Sequence, residues 1–215
     1  MSESEVKVSL PSEIGGLKSE EYLRVNPESK VPALSCPSSN LCLGESDTIC
    51  RYLISEYAHI GPSFQPNNPI ANMIARIHDV YLSSIQTCLY KPGPPFGVYG
   101  TRMDALAEYS KQLHIIADNY MSDEGPYLCG EDVTIADATV FPSIVFASRF
   151  FPKFDTGLDQ PIPTKIENWF QSLINNDPAF KKVYDEVRMH VRNFCESYTC
   201  CFAFGHAIEP FARFF

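Results

Sequence analysis

The hydrophobic pattern of the chain changes near residue 60, and this change limits what the chain can fold into. Before it, short apolar runs typical of strands alternate with short helical segments; after it, apolar residues recur at helical spacing almost to the end. The join, residues 58–69, reads AHIGPSFQPNNP, with the proline, glycine and asparagine content of a linker. The sequence therefore predicts a small α/β part followed by an all-helical part.

The small part is predicted to hold three short strands and two helices. Alternating apolar residues predict a strand over Val6–Leu10, and residues 18–27 predict a helix that Asn26-Pro27 ends. Apolar runs at Val31–Leu34 and Leu41–Leu43, separated by the turn sequence PSSN, predict a β-hairpin. A second helix is predicted over residues 45–58.

The large part is predicted to be a set of helices joined by loops rich in proline and glycine. Apolar spacing predicts one long helix from Ile70 to Cys88, and a second from Met103 to Tyr120. A strongly apolar helix follows, with Thr134 as its N-cap and Asp137 three residues later, the positions of a capping box. Two further helices are predicted over residues 163–175 and 177–188.

Composition excludes several classes of function. The net charge is −9 and no run of Lys or Arg follows a phosphate backbone, so neither nucleic acid nor an anionic membrane is an expected partner. The eight cysteines include no CxxC pair, so we expect no metal. The five histidines are scattered, and no Ser–His–Asp set that would indicate a hydrolase is visible.

The N-terminal residues MSESEVKVSL lack the basic region and long apolar core of a secretory signal. No apolar run approaches the length of a membrane span. The expected location is the cytoplasm, where cysteines stay reduced.

Pro32 lies inside a predicted strand, where a proline cannot donate to the ladder. It fits either an ordinary trans proline on an edge strand or a cis proline in a turn. In the second case the backbone before it can pair with an extended ligand as an added strand. Glu45 and Ser46 either cap the following helix or bind a ligand at its positive end. Lys30 fits a surface lysine and a carboxylate partner equally well.

Three motifs, NPESKVPAL, GESDTICRYL and YLCGEDVTIADATVFP, resemble those of the cytosolic glutathione S-transferase family when taken in this order and at this spacing. The resemblance runs from about Val6 to about Val187. It implies an α+β, mostly α fold. An incomplete thioredoxin-like α/β N-terminal domain over residues 1–60 precedes an all-α helical bundle over residues 69–190. Residues 191–215, rich in phenylalanine, form a tail outside the family pattern.

The resemblance also implies a site for glutathione, used as a co-substrate. It assigns the cis proline to Val31-Pro32, whose backbone would meet the thiol peptide. Glu45 and Ser46 would hold the ammonium and carboxylate of the γ-glutamyl end, and Lys30 would pair with the glycine carboxylate.

The acceptor implied by the resemblance is a hydrophobic small-molecule electrophile. Tyr81, Phe96 and Tyr99 are candidates for lining its site, although aromatic residues on helices are more often core. A homodimer or another partner chain is the expected assembly.

In the family, a strand, a loop bearing the thiol-activating Tyr, Ser or Cys, and a helix precede the strand that corresponds to Val6–Leu10. Only MSESE stands there in this sequence, so no catalytic residue is assigned and weakened conjugation is expected. Three alternatives stay open: a weakened transferase, a non-catalytic module that binds glutathione or another protein, and a truncated variant of a transferase.

Overall fold

A computed structural model describes residues 7–201, with side chains described as far as residue 189. The described residues form two units, one of residues 7–62 with 196–201 and the other of residues 63–195. The smaller unit contains helix α1 (Glu20–Val25), strands β1 (Ala33–Cys36) and β2 (Leu41–Gly44), and helix α2 (Ser46–Glu56). No helix of residues 7–201 combines the length and apolar character needed to cross a membrane.

The predicted hairpin is confirmed, with its first strand two residues later than predicted. Strands β1 and β2 pair antiparallel, with Ala33 opposite Gly44 and Cys36 opposite Leu41. Asn40 closes the turn with φ 51°, a conformation that asparagine tolerates better than most residues. Because β1 begins at Ala33, Pro32 precedes the strand and removes no hydrogen bond from the ladder.

The predicted strand over Val6–Leu10 is wrong for residues 7–10; Val6 lies outside the described residues. A strand needs a neighbouring strand to accept its hydrogen bonds, and the sheet formed by residues 7–201 has two strands, β1 and β2. Leu10 instead uses its backbone in a local turn. Its N–H donates to the Glu13 carboxylate at 2.9 Å, and its carbonyl accepts from the Glu13 N–H at 2.9 Å.

The larger unit is all-helical, as predicted, and the predicted fold class is confirmed. The α-helices that begin in it are α3 (Pro69–Ile77), α4 (Thr87–Tyr90), α5 (Arg102–Asn119), α6 (Ile135–Phe150), α7 (Thr164–Asn176) and α8 (Pro178–Cys201). The single α-helix predicted from Ile70 to Cys88 is wrong. A π-helical turn, His78–Leu82, and a 3₁₀ turn, Ser83–Ile85, separate α3 from α4. Helix α8 runs past the predicted limit at residue 188, and the rest of the predicted tail, residues 202–215, lies outside the described residues.

The core of the larger unit is centred on α6, whose buried residues occupy most of its length. Phe141 packs against the rings of Trp169, Phe170 and Phe180, with ring centroids 4.8–6.0 Å apart. The capping box at the start of α6 is confirmed, because Asp137 accepts from the Thr134 N–H at 2.9 Å and from the Thr134 hydroxyl at 2.8 Å. Asp177 likewise caps α8 by accepting from the Ala179 N–H at 2.9 Å.

Candidate functional site

The five residues predicted to bind glutathione lie in two segments at the same end of the hairpin. Lys30, Val31 and Pro32 come directly before β1, and Glu45 and Ser46 come directly after β2. Because Ala33 pairs with Gly44, the residues next to that pair leave the ladder side by side. The structure therefore brings the two predicted segments together, and it describes both within the smaller unit.

Two buried side chains form hydrogen bonds with the backbone that precedes Pro32. The Tyr22 hydroxyl and the Asn26 amide both donate to the Lys30 carbonyl, the amide at 2.8 Å. Burial raises the pKa of Tyr22, so its hydroxyl keeps the proton that it donates. These contacts fix the peptide that leads into Val31, and the Val31–Pro32 bond itself is cis.

Asn26 also reaches the second segment. A Cβ atom placed on Gly44 would lie 3.2 Å from the Asn26 amide nitrogen, so the two residues are in close contact. Asn26 is thus bonded to Lys30 and packed against the residue before Glu45. Its side-chain oxygen accepts from the Glu28 N–H at 3.1 Å. The buried asparagine therefore joins the two halves of the site.

Sequence reasoning missed Asn26 and Tyr22 as site residues. It interpreted Asn26 only as the end of a helix before Pro27, and that interpretation is confirmed because α1 ends at Val25. Among residues 7–62, Tyr22 and Asn26 are the buried residues. The sequence did show a polar residue, Asn26, between the end of a helix and the segment predicted to bind the ligand. A local pattern does not show, however, which carbonyl such a side chain will bind.

Glu45 has an unusual backbone, with φ 63° and ψ 121°. This conformation costs a residue with a side chain on the order of 1–3 kcal/mol, and such residues cluster at functional sites. Glu45 is the N-cap residue of α2, where its carbonyl accepts from the Ile49 N–H at 3.0 Å, but its exposed side chain makes no capping hydrogen bond to the helix. The carboxylate is therefore not engaged in capping the helix that it precedes.

Ser46 is the first residue of α2 and is exposed. The first N–H groups of a helix have no partner within the helix, and this end carries a partial positive charge. Asp47, in the same turn, is paired with Arg51 at 2.8 Å. The hairpin end thus offers an acid, a hydroxyl and helix N–H groups to a ligand that carries both an ammonium and a carboxylate.

The aromatic candidates for an acceptor site all belong to the larger unit. Phe96 is 2% exposed and lies under the guanidinium of Arg102, 4.7 Å from the ring centroid, so it is a core residue and cannot line an open site. Tyr81 is exposed and Tyr99 is half-buried. Within the part of the chain that the structure describes, no three His, Cys, Asp or Glu side chains cluster as a metal site would require.

The chain is similar in sequence to known proteins. Residues 3–56 match the family model described as the glutathione S-transferase N-terminal domain. The glutathione S-transferase-like protein gedE of Aspergillus terreus is 25% identical over 190 residues, covering 83% of each chain. Elongation factor 1-gamma of Prunus avium is 27% identical over 186 residues, covering 80% of this chain and 40% of that relative.

A solved structure shares the fold. A diazinon-metabolizing glutathione S-transferase of the silkworm Bombyx mori superposes with a TM-score of 0.65. The alignment covers 86% of this chain and 85% of that one, at 19% sequence identity. This likeness shows a common fold, in which a thioredoxin-like part precedes a helical part.

Proposed function

We propose that this chain, which belongs to the cytosolic glutathione S-transferase-like family, binds glutathione at the end of the β1–β2 hairpin. The observation that carries the proposal is the convergence of residues 30–32 and 45–46 at one end of the hairpin. Asn26 supports it, because its contacts hold one segment and pack against the other.

Each predicted residue receives a role that its chemistry suits. The Val31 backbone pairs with the peptide of glutathione as an added strand would. The Glu45 carboxylate binds the α-ammonium group, and the Ser46 hydroxyl with the first N–H groups of α2 binds the α-carboxylate. Lys30 is exposed and pairs with the glycine carboxylate.

The proposed reaction joins the thiol of glutathione to a hydrophobic electrophile. The thiol loses its proton, the thiolate sulfur forms a bond to an electrophilic carbon, and the leaving group departs with the electron pair of the broken bond. The positive end of α2 and nearby backbone N–H groups favour the thiolate only weakly, because the α-carboxylate already occupies the first N–H groups of that helix. No side chain is assigned as the catalytic residue.

Calorimetry with three peptides tests the binding proposal. Glutathione and S-methylglutathione should bind with similar affinity, because the assigned contacts do not involve the sulfur substituent. Cysteinylglycine lacks the γ-glutamyl group and should bind at least tenfold more weakly, since it cannot reach Glu45 and Ser46. Equal binding of cysteinylglycine and glutathione would refute the assigned roles of these two residues.

The match to elongation factor 1-gamma favours a second candidate function, a non-catalytic module that binds glutathione or another protein. A conjugation assay separates the candidates: turnover above the uncatalysed rate supports the transferase, and tight binding without turnover supports the module.

We also propose that the domains span residues 1–60 and 69–190. The chain is expected to form a homodimer or to bind a partner chain, and to be located in the cytoplasm. Size-exclusion chromatography with light scattering tests the assembly.

A further inference from the structure

Four polar side chains form a hydrogen-bonded chain inside the larger unit. Nδ1 of His78 lies 3.2 Å from the Asp79 carboxylate, and its Nε2 lies 2.7 Å from the Ser143 hydroxyl. The Ser143 hydroxyl in turn lies 2.8 Å from the side-chain oxygen of Gln86. We call these four residues the His78 network. The fold therefore brings together a Ser, a His and an Asp that no sequence pattern connects.

The His78 network is not built as a nucleophilic site. Ser143 lies in the interior of α6 and is 4% exposed, so no carbonyl carbon can approach its hydroxyl. Gln86, on the far side of that hydroxyl, is buried as well. The side chains of His78 and Asp79 are partly exposed, so the network can exchange protons with solvent through these two residues.

The hydrogen atoms of the network can be placed in two ways that give every hydrogen bond one donor and one acceptor. In the first, neutral His78 donates from Nδ1 to Asp79 and accepts the Ser143 proton at Nε2, and Gln86 turns its NH₂ group toward the Ser143 oxygen. In the second, cationic His78 donates from both nitrogens, and Ser143 turns its proton toward the oxygen of Gln86. The two arrangements differ by one proton taken from solvent.

We propose that the His78 network is a proton-responsive link between the π-helical turn His78–Leu82 and helix α6. Protonation of His78 reverses the direction of the hydrogen bond between Ser143 and Gln86 and turns the Gln86 amide. π-Helical turns are rare and are frequent at functional sites, and this one begins at the histidine. None of the four residues belongs to the proposed glutathione site.

Other titratable groups lie on the helices packed around the network. The buried faces of the packed helices α3, α4, α5 and α6 carry three such groups: Cys88, Tyr109 and Asp137. Burial raises the pKa of Cys88 to about 12 and also raises that of Tyr109, whose hydroxyl donates to the Ser143 carbonyl at 3.4 Å. Asp137 lies six residues before Ser143, at the start of α6, about 9 Å away along the helix.

Nuclear magnetic resonance of the full chain tests the link directly. Labelled protein is titrated with acid while the His78 ring nitrogens and the Gln86 side-chain NH₂ signals are followed. The Gln86 signals should shift with the same midpoint as His78, and those of Gln112, a buried amide that donates to Glu108 at 2.6 Å, should not follow it. Gln86 signals that do not change when His78 takes up a proton would overturn the proposal, as would a His78 ring that takes up no proton during the titration.

Two variants sharpen the test. Asp79→Asn removes the carboxylate beside the ring at a partly exposed position, and in this variant too the Gln86 signals must shift with the same midpoint as His78. Ser143→Ala should abolish the Gln86 response while His78 still titrates. A Gln86 midpoint that differs from the His78 midpoint in Asp79→Asn contradicts the link even if Ser143→Ala does not fold.

Discussion

Asn26 donates its side-chain amide to the carbonyl of Lys30 across 2.8 Å, from a position that is only 5% exposed. The same side chain packs against Gly44, the residue before Glu45. One buried amide therefore sets the spacing between the two segments that we propose bind glutathione. Its effect on binding is expected to be indirect, through the position of the Val31 backbone.

Asn26→Ala should destabilise the hairpin end and weaken glutathione binding together. The substitution leaves the Lys30 carbonyl with one donor fewer and removes the packing on Gly44, at a cost of about 1–3 kcal/mol. Hydrogen exchange of peptides covering residues 20–46 measures the first effect, and calorimetry measures the second. The matched control is Asn119→Ala, which removes an exposed amide that donates to the Ile115 carbonyl and should change neither. Unchanged binding in Asn26→Ala would contradict the positioning role.

Glu45→Ala should weaken glutathione binding by about 1.5–3 kcal/mol, because it removes a charged hydrogen-bond partner of the α-ammonium group. That loss corresponds to roughly a ten- to hundredfold rise in Kd, which calorimetry resolves. Glu56→Ala, at the opposite end of α2, removes the same charge away from the site and serves as the control. Equal affinities for Glu45→Ala and the unaltered chain would show that the ammonium group is bound elsewhere.

Local sequence signals predicted the elements better than the contacts between them. The turn sequence before Asn40 and the capping box at Thr134 each act over a few residues, so both were visible in the sequence. The strand predicted up to Leu10 failed because alternating apolar residues do not supply a neighbouring strand. The π-helical turn at His78 was missed because one extra residue in a helical turn hardly changes the spacing of buried residues.

The candidate site was predictable in outline only. Its five residues followed from motifs at a family spacing, and the hairpin register then placed them together. The strained backbone of Glu45 could not be predicted from the sequence, because glutamate has no preference for positive φ. The role of Asn26 depends on a carbonyl four residues away across a turn, which no periodic pattern encodes.

Cys36→Ser and Cys42→Ser should each leave conjugation activity nearly unchanged. Cys36 is half-buried in β1 and Cys42 is exposed in β2 beside the Ser35 hydroxyl, so both fit structural positions in the hairpin. The measurement is the rate of conjugation of glutathione to an aromatic chloro electrophile. A large loss in either variant would mean that a cysteine acts as the nucleophile, and would favour thiol transfer over conjugation.

Asp137→Ala should destabilise the larger unit by about 3 kcal/mol. Asp137 accepts from four donors, the N–H groups of Leu128 and Thr134, the Thr134 hydroxyl and the Trp169 indole, and its removal leaves several of them buried without an acceptor. Trp169 is the single tryptophan of the chain, so its fluorescence reports urea unfolding of this unit. The control Asp118→Ala, at an exposed position on α5, should stay within about 0.5 kcal/mol. A midpoint equal to that of the control would contradict the importance of the capping box.

Backbone amides of residues 7–60 should exchange with solvent faster than those of the larger unit. The structure buries two residues in that range, Tyr22 and Asn26, and none within α2. A two-stranded sheet is at best marginally stable by itself. Most of its amides should therefore open at a free energy well below the global value, whereas the helices around Phe141 have a continuous core.

Glutathione should slow the exchange of those same amides, most strongly in peptides containing residues 26–36 and 44–50. A ligand that binds only the ordered form stabilises it by RT ln(1 + [L]/Kd), or about 2.7 kcal/mol at a hundredfold excess over Kd. Hydrogen-exchange mass spectrometry with and without glutathione measures this protection, and cysteinylglycine at the same concentration is the control. Protection without ligand equal to that of the larger unit would show that the small unit is held by contacts other than those seen in residues 7–62. If residues 7–60 exchange faster than the larger unit and glutathione does not slow their exchange, the proposed site is wrong, although the account of the fold stands.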